Sequence, residues 1–536
     1  MKKALLLKFV QNWKSGLTVG LVSVPIAISL AVASHASPVA GIISAVWAGF
    51  FASLFGGSHY NITGPTAALS GLLTAYSVAF GAECLPMLAI LSGIFIYIAY
   101  RCRLERYLIF VPGSALHGFI LGIAVMIICS QIPPAFGFLN APTHHNVVIQ
   151  SYKAIMLIPS ATYLPALVMF MLFFIGLVLT SLLTPWLPGT ILLTPIGIGL
   201  GYLSRTDQLP WVFQTLGSKY GSIDATILAI PSFHFRFAYL IPALSIAVVS
   251  IIETLISARI ADHATKTKHH KSKEVLGLSL ANIATGLMGG FPSTASLART
   301  ALNIRSGSTN RISGILATIF IAGISLALLP YFIFLPLPVI AAILVFVSFR
   351  MIEMEHFWRL FKLDKKNLAL SLIVAFVTMY EDPVVGILLG TVAAMLLFME
   401  RLSQGFHETI VHDTAAALHE EKQAQKNMAA FIYKIKGPLA YINAQAHSSH
   451  LEDIPSSHPL VLIDIHDVHF IDADGSEALL DGIEQLRQRD TKVFLCGAGP
   501  LVEHFLRDNS VYRELKKHGL VCASIRDALA HIRTNL

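Results

Sequence analysis

Between Gly16 and about Met399 this chain runs through one apolar stretch after another. Each is about 17–25 residues long, enough to cross a hydrocarbon layer about 30 Å thick. In lipid, no water satisfies exposed N–H and C=O groups, so such stretches fold as helices. Their centres fall near residues 24, 47, 72, 92, 122, 172, 196, 248, 282, 300, 321, 343, 374 and 391, which makes about fourteen spans, several of them short. Composition agrees: 55% of the 536 residues are hydrophobic and 13% charged, against roughly 25% charged in soluble domains. From about Arg401 the text changes to HETIVHDTAAALHEEKQAQKN and then to short strand-like and helix-like segments. The expected organisation is a lead-in over 1–15, a transmembrane domain over 16–402, a linker over 403–429 and a soluble α/β domain over 430–536.

The net charge of +7 is one of topology. Basic residues fall at Lys2, Lys3, Lys8 and Lys14, in RCRLER (Arg101 to Arg106), in HATKTKHHKSK (His263 to Lys273), at Arg305 and Arg311, and from Arg350 to Lys366. These are short connections between spans. The intervening ones, Asn140 to Pro159 and YEDP at Tyr380 to Pro383, are poor in Lys and Arg. That alternation is the positive-inside pattern, and it removes the case for nucleic-acid binding. An even number of spans then puts both termini and the soluble domain in the cytoplasm, with the chain in the cell's inner (plasma) membrane. MKKALLLKF does not read as a signal peptide, because Lys8 interrupts its apolar run. The five cysteines, Cys84, Cys102, Cys129, Cys496 and Cys522, have no metal-ligand spacing. No cofactor and no metal is expected.

Two of the spans are poor membrane helices. FGGSHYNITGPTAALSG (Phe55 to Gly71) lies in the third, and MGGFPSTASLARTALN (Met288 to Asn303) in the tenth. Each opens on a Gly pair, runs through a short extended stretch to Pro, Ser or Thr, and continues with small residues that begin a helix. They occupy corresponding places in two seven-span halves. A matched pair of interrupted spans points to a transporter built of inverted repeats. Two half-helices meeting by their N-termini would aim free N–H groups and positive dipole ends at one place, which suits an anion. The plainer reading is a pair of Gly-rich packing kinks.

Charged groups inside spans are costly and rare. Arg299 follows the second break within the first turn of its half-helix. A cation at a positive helix end needs an anion or a carboxylate nearby, and a guanidinium fork suits oxyanions. Arg299 is therefore read as a substrate-site cation or as the partner of Glu253. Glu253, deep in the eighth span, is read as a coupling carboxylate, as that ion-pair partner, or as an acceptor for the broken backbone. Arg259 and Asp262 lie nearer the cytoplasmic end, and His263, His269 and His270 read as a solvated basic loop.

These residues carry a resemblance. The run from Gly16 to Gly71 (GLTVGLVSVPIAISLAVASHASP…NITGPTAALSG) and the run IIETLISARIADHAT…MGGFPSTASLARTALNIRSGSTNRISGI resemble the SulP (sulfate permease) family. The resemblance implies a polytopic α-helical membrane protein of about 14 transmembrane segments as 7+7 inverted repeats, divided into core and gate domains. It also implies a homodimer and elevator-type alternating access. By motif, the substrate site falls on Thr66, Ala67 and Ala68, and on Ser296, Leu297, Ala298 and Arg299, with backbone N–H groups doing much of the binding. Pro25 marks the first helix, whose face lines the pocket. Many members have Gln or an acid just after that proline; here Ile26 and Ala27 follow, which leaves Glu253 as the coupling candidate. The implied activity is secondary transport of a small anion, sulfate first, coupled to protons with sodium as the alternative. Bicarbonate and C4-dicarboxylates are the other substrates within the family.

The C-terminal segment resembles a STAS domain, the cytoplasmic α/β tail of SulP proteins. Strands are expected in FIYKIKGPLAYIN (two, around Gly437-Pro438), PLVLIDI and TKVFLCGAG, with an amphipathic helix in DADGSEALLDGIEQLRQR. The loop phosphorylated in related antagonists reads Asp472-Ala473-Asp474-Gly475 here. It has a carboxylate where the serine would be, and Asp474 and Ser476 are suited to cap the helix. The domain is read as regulatory or dimer-organising. An enzyme is disfavoured by the lack of HExxH or an intramembrane acid pair, and an ATP-driven pump by the lack of a Walker A motif. A membrane sensor that binds anion and signals through STAS has the same site and stays open.

Overall fold

The structure is a computed structural model that describes residues 2–138, 147–156, 164–184, 188–221, 233–381, 383–403, 407–413, 429–455 and 458–534. Most of the expected linker and parts of the Lys- and Arg-poor connections lie outside these residues. The chain forms two compact units, Met1–Ala394 and Met395–Leu536.

All fourteen expected centres fall on helices. The first half contributes α1 (Lys2–Ala33), α2 (Pro38–Phe55), α3 (Ala67–Phe80), α4 (Leu85–Arg101), α5 (Gly113–Ser130), α6 (Leu164–Leu183) and α7 (Gly189–Arg205). The second half contributes α8 (Leu240–Thr265), α9 (Lys271–Leu287), α10 (Leu297–Arg305), α11 (Ile312–Phe332), α12 (Leu337–Met351), α13 (Lys365–Tyr380) and α14 (Pro383–Ser403). Among the described residues, nine helices are long and apolar enough to cross a membrane. Residues 2–15, expected as a separate lead-in, are instead the start of α1. Asn12 and Ser15 are tied to the second half. Asn12 Nδ2 donates to Thr309 Oγ1 at 2.9 Å and its Oδ1 accepts the Thr309 N–H at 2.8 Å, while the hydroxyls of Ser15 and Ser313 lie 2.8 Å apart.

The packing repeats under exchange of the halves. α9 packs on α4 as α2 packs on α11; α11 packs on α1 as α4 packs on α8; α13 packs on α5 as α6 packs on α12. Each relation turns into its partner when seven is added to or subtracted from the helix numbers. The halves are thus interlocked repeats. α1–α4 and α8–α11 form one group. α5, α6 and α12 form a second, with α13 against α5 and α7 against α6. These are the core and gate expected of the fold.

Before α3 lies strand β1 (Thr63–Gly64), and before α10 lies β2 (Thr294–Ala295). They pair antiparallel, Thr63 opposite Ala295 and Gly64 opposite Thr294. The breaks therefore satisfy each other's backbone, as irregular chain at membrane depth must.

The C-terminal unit is a five-stranded sheet in the order β3 (His407–Asp413), β4 (Ala429–Lys436), β5 (Leu460–Asp467), β6 (Lys492–Cys496), β7 (Val521–Cys522). β3 runs antiparallel to β4 and the rest are parallel. Helices α15 (Tyr441–Glu452), α16 (Ala473–Gln488), α17 (Pro500–Leu506), α18 (Ser510–Lys517) and α19 (Ile525–Thr534) complete it. The sheet has an apolar core on each face: Tyr433, Ile435 and Ile463 pack with Leu479 and Leu515, and Ile432, Leu462 and Phe494 with Ala528.

Three expectations are corrected. β3 lies inside the stretch expected as linker. FIYKIKGPLAYIN supplies one strand, not two, because α15 begins at Tyr441 and Leu439 makes only an isolated bridge to Ile471. The cap of α16 is Asp472, not Asp474 or Ser476. Its carboxylate accepts the Gly475 N–H at 2.8 Å and the Tyr441 N–H at 3.0 Å, so it ties α15 to α16 as well. The Ser476 hydroxyl turns back to the Ala473 carbonyl.

Candidate anion site

The β1–β2 pair sets the N-termini of α3 and α10 on either side of one short ladder. The first-turn N–H groups of a helix have no partner within it. In α3 the cap residue Thr66 leaves them open, because its hydroxyl makes no capping bond and reaches Glu253 Oε2 instead, at 3.4 Å. In α10 the Ser296 hydroxyl accepts the Arg299 N–H at 3.5 Å, and the Ser296 N–H is taken by Ile62 O at 2.9 Å. That leaves the N–H groups of Leu297 and Ala298 without intrahelical acceptors. Thr66, Ala67 and Ala68 are buried, Ser296 and Leu297 half-buried, and Ala298 exposed. The α10 end of the junction is therefore the accessible one.

Arg299 is buried, at 3% exposure. Its Nη2 donates to Pro65 O at 2.6 Å, which clamps the end of β1 to α10. Its Nη1 has no hydrogen-bond partner among the described residues. Glu253, half-buried on α8, lies within electrostatic range of Arg299 but makes no direct ion pair with it. Arg299 thus braces the break through Pro65 with one nitrogen, not through an ion pair with Glu253, and its other nitrogen is unpaired among the described residues. Of the residues expected at the site, Thr66, Ala67, Ala68, Ser296, Leu297, Ala298, Arg299 and Glu253 gather at this junction. Pro25 lies within α1, where its missing N–H frees one helical carbonyl; α1 packs against both α3 and α10.

A layer of buried polar groups that the sequence did not suggest holds the breaks in place. Glu274, in the first turn of α9, is 4% exposed. Its Oε2 accepts the N–H groups of Gly57 and Ser58, both at 2.7 Å, and its Oε1 accepts Asn61 Nδ2 at 2.7 Å. Asn61 also donates to Thr254 O at 3.2 Å. In the other half, the Ser44 hydroxyl of α2 accepts the Phe291 N–H at 2.8 Å. Asn282 of α9 binds both the N–H and the carbonyl of Ser293. The Thr254 hydroxyl accepts the Ala295 N–H at 3.2 Å and lies 2.8 Å from that of Thr294. α2 and α9 are symmetry partners, and each break takes a pin from the other half, Glu274 on the first and Ser44 on the second. An acid one turn into a helix was visible in the sequence as a dipole partner; that it reaches across to a Gly pair more than two hundred residues away was not. Asp262 belongs to no such layer. It accepts the backbone N–H of His269 at 2.8 Å and the Thr267 hydroxyl at 3.1 Å, which closes the α8–α9 loop.

Two opposed half-helices at a buried arginine, inside interlocked inverted repeats, define a membrane carrier fold with a site suited to a small anion. Residues 9–374 match the sequence model of the sulfate permease family, and residues 421–528 that of the STAS domain. The chain belongs to the sulfate permease family: it is a multi-pass membrane anion transporter with a STAS domain, and not an enzyme. It is 27% identical to the putative sulfate transporter YvdB of Bacillus subtilis (strain 168), over 95% of each chain. It is 25% identical to the bicarbonate transporter BicA of Picosynechococcus sp., over 90% of this chain and 88% of that one. The fold is also that of the murine anion transporter Slc26a9 in its inward-facing state, with a TM-score of 0.80, 16% identity, and coverage of 98% and 91% of the two chains. The transmembrane domain of a cyanobacterial BicA matches with a TM-score of 0.62 at 24% identity, over 72% of this chain and 97% of that one.

Proposed function

We propose that this protein is a secondary active transporter of a small anion, sulfate first, bound between the N-termini of α3 and α10. One observation carries the reading: Arg299 is buried at the junction beside the first turns of α3 and α10, with Nη1 unpaired among the described residues. An oxyanion there accepts from backbone and guanidinium together, and the positive helix ends favour its charge. Glu253 supplies the coupling. While ionised it competes with the substrate for Arg299; protonated, it leaves the cation to the incoming anion. Proton and anion then travel together. The helix group α1–α4 with α8–α11 would move as one body against the rest, because the breaks, their pins and the site all belong to it. A homodimer in the plasma membrane with a cytoplasmic STAS domain completes the picture.

Bicarbonate is the second reading, favoured by the similarity to BicA, with a C4-dicarboxylate and a non-transporting anion sensor behind it. Radiolabelled sulfate uptake into proteoliposomes, competed by bicarbonate, succinate, unlabelled sulfate and chloride, separates them. Sulfate uptake driven by an inward proton gradient supports the first reading. Sulfate uptake that bicarbonate suppresses at lower concentration than unlabelled sulfate does selects the second, and the same result with succinate selects a dicarboxylate. Anion binding without flux selects the sensor.

A further inference from the structure

The connection between α4 and α5 folds into a short helix, Leu104–Phe110, against the start of α9. Between them lies a cleft of about 590 Å³ lined by Tyr100, Arg101, Arg103, Arg106, His270 and Lys271, together with Glu105 and Ser272. Four cationic side chains there face one carboxylate. Glu105 is 7% exposed; its Oε1 accepts the Ser272 hydroxyl at 2.6 Å, which joins the two walls, and its Oε2 has no partner among the described residues. The wall contributed by α9 is a helix N-terminus with no side-chain cap at His270. Its open N–H groups and dipole add to the cationic field.

Positive-inside topology explains why basic residues are here; it does not explain a cleft. Arg101, Arg103, Arg106 and Lys271 are exposed, but they line one concavity together with the buried Glu105 carboxylate. Leading to the cleft along α4 is an apolar stripe of Ile94, Tyr97 and Ile98, each between 43% and 47% exposed and spaced to share one helix face. A cationic, acceptor-containing pocket at the end of an exposed apolar stripe matches a molecule with an anionic, hydroxyl-bearing head and a hydrocarbon tail.

We infer that this cleft binds the headgroup of an anionic glycerophospholipid, its phosphodiester held by Arg103, Arg106, Lys271 and the α9 N-terminus, its acyl chain along Ile94, Tyr97 and Ile98. Polybasic segments beside a membrane attract anionic lipids in general; the cleft makes this one a defined position. It is also joined to the breaks. The N–H of His270, in the cleft wall, donates to Gly57 O at 3.2 Å, and Glu274 one turn further accepts the N–H groups of Gly57 and Ser58. An occupant of the cleft therefore rests on the residues that hold the first Gly pair.

Full-length protein in mild detergent, delipidated and titrated with phosphatidylglycerol, phosphatidylcholine or inorganic phosphate under native mass spectrometry, tests this. One phosphatidylglycerol should bind per chain, at least tenfold more tightly than phosphatidylcholine. The double variant R103Q/R106Q should bind it at least tenfold more weakly, and Y97A/I98A several-fold more weakly. Equal affinity for the two lipids, or unchanged binding by R103Q/R106Q, overturns the site. Phosphate bound as tightly as the lipid, with Y97A/I98A unaffected, overturns the lipid and leaves a site for free phosphate. Because the readout is lipid bound and not anion carried, the result does not depend on the identity of the transported anion.

Discussion

At the scale of single residues, the site divides into groups that were visible in the sequence and groups that were not. Arg299 and Glu253 stood out because a charge within an apolar run has few reasons to be there. Glu274, Asn61 and Ser44 did not. Their importance comes from what they reach across the repeat interface, and one-dimensional text holds no distance between residue 57 and residue 274. Two predictions belong here. Arg299→Ala removes a charge-assisted donor from a buried site, a contact class of about 1.5–3 kcal/mol. Anion affinity should fall about 10- to 100-fold by isothermal titration with detergent-purified protein, while the elution volume stays that of wild type; unchanged affinity would make Arg299 a brace for Pro65 and nothing more. Glu253→Gln fixes the neutral form. Uptake by the variant should be flat between acidic and neutral pH, where the wild type slows as pH rises. A variant that kept the slope would move the coupling proton to another group.

The elements show why the helices were legible and their junction less so. Fourteen apolar centres translate into fourteen helices because lipid permits no other fate for such runs. Gly pairs, Pro and Thr marked where α3 and α10 are interrupted, but propensity does not specify that β1 and β2 pair with each other. Only the antiparallel register of Thr63 with Ala295 does. Two glycines separate the ladder's requirements from those of the site. A Cβ on Gly57 would drive into the His270 carbonyl, backbone against backbone, with the Glu274 N–H beside it at 3.0 Å. A Cβ on Gly64 would meet the tip of Arg299, 2.9 Å from Nη1 and 3.5 Å from Nη2. The same substitution should thus have different outcomes. Gly57→Ala should destabilise the fold by about 1–3 kcal/mol, read as a lower midpoint in thermal unfolding. Gly64→Ala should leave that midpoint within a degree or two and lower uptake about tenfold, because a side-chain tip yields more readily than backbone. If both variants lost stability alike, the guanidinium would be as fixed as the chain around it.

On the whole-molecule scale, two units are stabilised in two solvents, and acid should tell them apart. The membrane unit packs helix on helix, with the Glu274 carboxylate fully engaged inside it. The C-terminal unit depends on ordinary apolar burial on both faces of a sheet, and it encloses a histidine. His447 on α15 is 1% exposed; its Nδ1 lies 2.8 Å from the Tyr433 hydroxyl, and its Nε2 has no partner among the described residues. Burial pushes its pKa down to about 4, and the neighbouring rings of His450 and His407 push in the same direction. An unfolded chain protonates the same residue near pH 6.5. Between those values the unfolded state binds a proton that the folded state refuses, so the stability His447 confers is complete above about pH 6.5 and is lost as pH falls toward 4. At about 1.4 kcal/mol per pH unit, roughly 2 kcal/mol is gone by pH 5. Hydrogen exchange on the full-length protein, corrected for the intrinsic rate, should therefore show β4 and α15 opening more readily at pH 5 than at pH 7.5, with α2 and α9 unchanged. His447→Phe keeps the bulk and discards the titration. Its exchange in β4 and α15 should be the same at both pH values, though faster than wild type at pH 7.5 because the Tyr433 hydroxyl loses its 2.8 Å partner and keeps only His450 Nδ1 at 3.5 Å. A His447→Phe protein that kept the acid sensitivity would assign it to His450, whose pKa burial also lowers.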